Sequence, residues 1–284
     1  MPRISLAASG EEVVALDAGQ FEAVVEEYGS TVDSLKRYLA QKHFPKRFSR
    51  FQLRILREGS SSEMEDEESI TQPLDLQLIL MNHLPPDEER DASFVESCGD
   101  GRVHEVVENL KAPQNPNVVC DGEAPLTRAA AHGQQEVVHL LLEAGAETEW
   151  RDAAVFERTA LHLAAFNGYG EVVRILLEFG ADMEAVDRYG LRPLHLAAQG
   201  GHTAVAQLLL DSGADKEAED PWGHRPLHLA AMKDEGDVVK LLVEAGADKN
   251  ALEKTGATAA QIATQNLHPG VSQLLQDDKR HRLS

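Results

Sequence analysis

Aromatic side chains make up only 5% of this 284-residue chain, and cysteine is represented by two residues, Cys98 and Cys120. A core built with so few rings must rely on Leu, Val and Ala, and apolar residues at 42% are enough to form one. Two cysteines without metal-site spacing exclude both a disulfide framework and a cysteine-rich zinc site, which suits a reducing compartment. Lys and Arg number 27 against 48 Asp and Glu, a net charge of −21, so the clustered cations that neutralise a phosphate backbone are missing and nucleic acid is not an expected partner. No stretch of about twenty consecutive apolar residues occurs, and the opening segment is broken by acids where a leader would need an apolar run. We therefore expect a monomer of the cytoplasm or nucleus, with no membrane contact.

Motifs for chemistry are also missing. There is no phosphate-cradling G-x-x-x-x-G-K-[ST], no H-E-x-x-H and no G-x-S-x-G; Gly99-Asp100-Gly101 is too short to count. The expectation is a protein with no catalytic residue, no cofactor and no metal.

What the chain does have is a repeat. Blocks related to x-P-L-H-L-A-A begin at Ala124, Thr159, Arg192 and Arg225, with a degraded copy at Ala257. Measured on Leu126, Leu161, Leu194, Leu227 and Ala260, the steps are 35, 33, 33 and 33 residues. A second mark follows each full block, where helical runs such as EVVRILLEFGA end in Gly145-Ala146, Gly180-Ala181, Gly213-Ala214 and Gly246-Ala247. Proline at Pro125, Pro193 and Pro226 has its φ preset for a helix start and lacks only a donor that the first turn leaves unpaired. Small residues at Ala129-Ala130, Ala164-Ala165, Ala197-Ala198 and Ala230-Ala231 let neighbouring helices approach closely. These marks resemble the ankyrin repeat family, whose unit is a loop or β-turn followed by two antiparallel helices; the resemblance covers roughly residues 94 to 276. His162, His195 and His228 occupy one slot of successive units, where an imidazole can hydrogen-bond a neighbouring loop, so their expected duty is structural. His132 and His202, near the turn between the two helices, read as surface residues.

Residues 1–84 follow another pattern. Ile4 to Ala8 and Val13 to Asp17 alternate around Ser9-Gly10 as a hairpin, Thr31 to His43 carries a helical stripe, and Phe51 to Leu56 and Leu74 to Met81 return to strand. The order β-β-α-β-β resembles the ubiquitin-like β-grasp family. Two departures limit what that resemblance implies. No diglycine closes the segment, so conjugation is not supported, and Arg54 stands between inward-facing Leu53 and Ile55 where ubiquitin carries its exposed patch isoleucine, with Ile79 left as a patch candidate. Eight cations between Lys36 and Arg57 are followed by the acids from Glu63 to Glu68, which reads either as a solvated helix face and acidic loop or as a basic docking surface.

The fold class expected is thus α+β in two domains: a small β-grasp at 1–84, a linker at 85–93, and an α-solenoid of ankyrin repeats at 94–281. Within the solenoid we expect a capping unit at 94–118 and repeats at about 119–151, 152–186, 187–219, 220–252 and 253–281. Function in such a stack should lie where the repeat leaves residues unconstrained, at loop tips and on the exposed face of the first helices, which the resemblance makes a concave surface. Bulky groups gather there. The first tip has Trp150, Arg151, Phe156 and Arg158, the second Arg188 and Tyr189, the third Trp222 and His224 beside Arg225; the adjoining helices add Phe166, Asn167, Tyr169, Gln199, Met232 and Lys233. Trp, Tyr and Arg dominate interface hot spots because they desolvate large areas at modest entropic cost. The expected function is non-enzymatic protein binding at these residues, by an unidentified protein partner. The rival expectation is an adaptor that recruits substrates in the ubiquitin–proteasome system.

Overall fold

The computed structural model describes residues 3–6, 12–15, 23, 27, 31–39, 53–57, 76–80 and 84–276, apart from 113 and 153–155. The chain separates into two compact units: one comprises residues 1–88, 104–118 and 140–146, the other residues 89–103, 119–139 and 147–284.

In the first unit four short strands, β1 (Arg3–Leu6), β2 (Glu12–Ala15), β3 (Leu53–Arg57) and β4 (Leu76–Leu80), form a mixed sheet in the order β2-β1-β4-β3. Strand β1 runs antiparallel to β2 and parallel to β4, and β4 is antiparallel to β3. Helix α1 (Val32–Tyr38) starts at Thr31, whose hydroxyl accepts the Ser34 N–H at 3.2 Å, and it lies near β3 with Val32, Leu35 and Leu39 buried. The facing of Leu53, Arg54, Ile55 and Ile79 concerns side chains that lie outside the description, and most of the basic stretch and the acidic run at 63–68 fall outside the described residues.

From residue 84 onward the described residues form helices joined by loops and turns. Helices α2 (Glu88–Asp100) and α3 (Val103–Lys111) precede the repeats, and α2 begins inside the stretch read as a linker rather than at Phe94. Its charged first turns carry no apolar stripe, so the sequence pattern became visible only where Phe94 and Cys98 turn inward. Five helical hairpins follow: α4 (Pro125–Ala131) with α5 (Gln135–Glu143), α6 (Ala160–Asn167) with α7 (Gly170–Glu178), α8 (Pro193–Gln199) with α9 (Thr203–Asp211), α10 (Pro226–Met232) with α11 (Gly236–Glu244), and α12 (Ala259–Gln265) with α13 (Pro269–Gln276).

First helices stack on first helices, α4 on α6 through to α10 on α12, and second helices α7, α9, α11 and α13 stack likewise. The repeat leucines Leu126, Leu161, Leu194 and Leu227 are buried, and each alanine pair is fully enclosed, which is what lets the backbones close up. Each second helix ends as its glycine requires: Gly145, Gly180, Gly213 and Gly246 all have φ between 82° and 98°. The following alanine N–H then donates five residues back, for example Ala181 to the Leu176 carbonyl at 3.0 Å.

Histidine fastens one repeat to the next. The Arg192 N–H donates to His195 Nδ1 at 3.1 Å, which fixes that nitrogen as an acceptor and leaves Nε2–H to donate to the Ala218 carbonyl at 3.0 Å and to the His224 carbonyl of the following repeat at 3.2 Å. His228 repeats the arrangement with the Arg225 N–H and the Ala251 carbonyl, and His162 with the Thr159 N–H and the Leu191 carbonyl. Burial pushes all three below the usual histidine value, His162 to about 4. Thr127 and Gln261 take this slot in the outermost hairpins and keep only the cap, Gln261 accepting the Thr258 N–H at 2.8 Å. His202 is not simply a surface residue: its Nε2 meets the Phe166 carbonyl at 2.8 Å, another tie between neighbouring hairpins.

Candidate interaction surface

The tips are shaped by an acid three residues ahead of a glycine. Asp187 Oδ1 accepts the N–H groups of Tyr189 (2.9 Å) and Leu191 (3.0 Å), and Asp220 Oδ1 those of Trp222 and His224, both at 2.8 Å. Glu253 does the same for Thr255 and Ala257, and hydrogen bonds from the Thr255 hydroxyl and these two amides hold its carboxyl down at about 2. With the backbone turned inward to the acid, the intervening side chain projects outward. Tyr189 is 39% exposed and Trp222 51%.

Neighbouring tips are joined through the backbone. The Arg188 N–H donates to the Phe156 carbonyl at 2.9 Å and the Lys254 N–H to the Trp222 carbonyl at 3.1 Å. Between these rungs stands Pro221, which has no N–H to give; its ring instead covers Gly190, where φ is 74° and an added Cβ would lie 2.5 Å from Pro221 Cδ. Behind the tips runs a ladder of carboxylates that sequence reading missed. Glu149, Glu184 and Glu217 accept the N–H of Asp182, Asp215 and Asp248 in the following repeats at 2.8 to 2.9 Å.

Arg158 links the first tip to the helix face. Its guanidinium sits 4.6 Å from the Phe156 ring centre and 4.8 Å from that of Phe166, while Nε donates to Asp187 Oδ2 at 3.3 Å. The arginine is itself buried, and the rings that clasp it are 39% and 42% exposed. Phe156 also packs against Tyr189, centres 5.9 Å apart. Phe156, Arg158, Phe166 and Tyr189 therefore form one cluster drawn from two tips and α6.

The other candidates are placed separately. Trp222 leans on His224 at 6.5 Å, whose Nδ1 lies 3.0 Å from Asp220 Oδ2. Trp150 is half-buried, its indole Nε1 enclosed without a hydrogen-bond partner. Arg151 is exposed but its Nη1 donates to the Val186 carbonyl at 2.5 Å. Tyr169, at the turn into α7, covers Gly133 of the preceding hairpin. Gln199 and Met232 are half-buried and Lys233 is exposed, at the slots of α8 and α10 that correspond to Phe166 and Asn167 of α6. Val186 and Leu252 are exposed and were not foreseen; their shared position, one residue ahead of the tip acid, is legible in the repeat register.

Reactive chemistry finds little support among the described residues. No group of three or more His, Cys, Asp or Glu is placed to hold a metal ion, and burial pushes the Cys98 thiol far above its ordinary value, which keeps it from forming a thiolate. No described helix is long and apolar enough to cross a membrane.

A family model described as ankyrin repeats (3 copies) matches residues 129–220 and again 212–282, more than half of the chain. No curated protein matches it.

Proposed function

We propose that this chain, which belongs to the ankyrin repeat family, is a non-catalytic scaffold that grips a protein partner through its loop tips and first-helix face. Repeats of this family are generally protein–protein interaction modules, and proteins built from them are typically scaffolds without enzymatic activity. One observation supports the reading most. In a chain with 5% aromatics, Phe156, Phe166, Tyr189 and Trp222 are 39–51% exposed, the last two on tips whose amides Asp187 and Asp220 hold inward. Exposed rings in a row on rigid supports are what an interface anchor needs, because their rotamer freedom is already restricted before a partner arrives.

The test is affinity capture with the full chain and with Trp222→Ala and Tyr189→Ala. Proteins retained by the wild type should be lost from both variants while the melting temperature stays unchanged. An identical set retained by all three overturns the reading.

For the amino-terminal segment we propose a ubiquitin-like β-grasp over residues 1–84, followed by a linker and the repeats to residue 281. The sheet order β2-β1-β4-β3, with β1 parallel to β4 and a helix after the first hairpin, favours it. In that reading the segment docks a second partner or tunes the first. Retention of proteasome or ubiquitin-ligase components on the full chain would turn the scaffold into a substrate-recruiting adaptor.

A further inference from the structure

A chain with a net charge of −21 keeps its acids off one face. Eight helix slots run from Phe166-Asn167 to Gln265-Asn266 and six tip slots from Arg188-Tyr189 to Lys254-Thr255, and none holds Asp or Glu. At 48 acids in 284 residues, fourteen positions taken at random would carry two or three. Three cations stand there instead. Arg188 and Lys233 are exposed and form no ion pair among the described residues. Lys254 Nζ donates to the Pro221 carbonyl at 2.6 Å, a bond that leaves its charge uncompensated.

The acids that do approach are mostly engaged. Asp187 is tied to Arg158, and Glu219 accepts from Arg225 at 3.0 Å; the exposed exceptions are Glu157 at the first tip and Asp234, which follows Lys233 and lies 3.7 Å from His268 Nδ1. Between the cations lie apolar side chains, Tyr189, Trp222 and Leu252, the last 59% exposed. A cation that pairs with no carboxylate among the described residues, beside a ring left half-exposed, is complementary to a partner that brings both a carboxylate and an apolar group.

Spacing limits the partner's shape. Stacked helices lie about 8–10 Å apart, so the tips at Arg188 and Lys254, two repeats apart, are separated by roughly 20 Å, which an extended strand spans with about six residues at ~3.3 Å each. Trp222 stands at the middle tip. We infer that this face binds an extended acidic peptide segment in which carboxylates about six residues apart flank an aliphatic or aromatic anchor. This rests on the reading of the face as protein-binding.

The test uses the full chain and a phage-displayed library of random 15-residue peptides, followed by fluorescence anisotropy of the enriched peptides. Enriched sequences should carry Asp or Glu on both sides of an apolar residue, and their affinity should fall about tenfold or more between low and moderate salt. The double variant Arg188→Glu/Lys233→Glu should lose at least that much with no change in melting temperature, and Arg188→Gln/Lys233→Gln, which avoids new like-charge repulsion within the fold, should lose less. Enriched peptides that are basic or neutral, or acidic peptides indifferent to both charge variants while Trp222→Ala still abolishes binding, overturn the inference and leave the protein-binding reading in place. No enrichment, or enrichment indifferent to every substitution, overturns both.

Discussion

Acid should loosen the stack from within, because its histidines accept a backbone N–H at Nδ1 only as neutral imidazoles. At His162 the Nδ1 atom accepts the Thr159 N–H at 3.3 Å and faces the Thr159 hydroxyl at 2.8 Å, so a proton placed there would set one donor against another. Burial is the main cause that pushes this histidine from 6.5 to about 4; Arg158 and Arg151 push the same way, and Asp187 and the bond to the Leu191 carbonyl oppose them. The sign follows from which state takes the proton. Between pH 6.5 and 4 the unfolded chain is protonated at this position and the folded chain is not, so the contribution is complete above pH 6.5 and is lost as the pH falls towards 4. At ~1.4 kcal/mol per pH unit, His162 alone should cost about 3 kcal/mol by pH 4, with His195 and His228 acting in the same direction. Glu253, held at about 2, weakens the fold only below its unfolded value of 4.5, which separates the two windows. Urea denaturation followed by circular dichroism at pH steps from 7.5 to 4 measures the slope. His162→Gln should keep the cap as Gln261 does, lose modest stability at neutral pH, and show a shallower fall between pH 6.5 and 4 than the wild type. Equal slopes for the two proteins would refute the assignment of neutral, acceptor-bearing imidazoles.

Three further outcomes are expected. Leu194→Ala removes a buried side chain from a helix that stacks on α6 and α10, and should lower the unfolding free energy by roughly 2–5 kcal/mol in urea titration; an unchanged midpoint would place that leucine outside the core. Arg158→Leu should cost about 3 kcal/mol, the lower end for breaking a buried pair, because Asp187 loses its cation but keeps the Tyr189 and Leu191 amides; a loss under about 1 kcal/mol would show that the rings and not the charge hold the cluster. Gly145 and Gly190 both have positive φ, but an added Cβ meets nothing at Gly145 and lies 2.5 Å from Pro221 at Gly190. Gly145→Ala should therefore cost only the ~1 kcal/mol of left-handed backbone and Gly190→Ala clearly more by thermal melting, and equal losses would remove the steric argument.

The scaffold was legible because its determinants are local and periodic. Leu126, Leu161, Leu194 and Leu227 recur beside alanine pairs and ahead of a helix-closing glycine, so each unit announces its core, its close approach and its end within one stretch of chain. The tip geometry was half legible: the spacing Asp187 to Gly190, Asp220 to Gly223 and Glu253 to Gly256 is a turn signal in the sequence, but its consequence, an outward-facing Tyr189 or Trp222, depends on amides that the carboxylate collects. What could not be read is whatever pairs across repeats. Arg158 and Asp187 stand 29 residues apart and Arg188 meets the Phe156 carbonyl from the next tip, contacts that no window of local pattern contains. The two tryptophans make the point: both sit at tips by spacing, but Trp150 precedes the two inserted residues and tucks its Nε1 inward, while Trp222 keeps the regular register and stays out.

The same separation says where recognition can reside. Stacking constrains the slots that recur, and a residue that must be Leu, Ala or His to hold its neighbour cannot also be chosen to fit a partner. Slots that vary between repeats carry no such demand: the position of Phe166 becomes Gln199 and Met232 with the alanine pair before it unchanged and the backbone in the same helical turn. Because stability is close to a sum over units and their interfaces, changes confined to those slots shift binding while costing the fold little. Departures from the period therefore hold the information about the partner, and the absence of acids from the paired helix slots between Phe166 and Asn266 and the tip slots between Arg188 and Thr255, in a chain otherwise rich in acids, is the feature with the most chemical content.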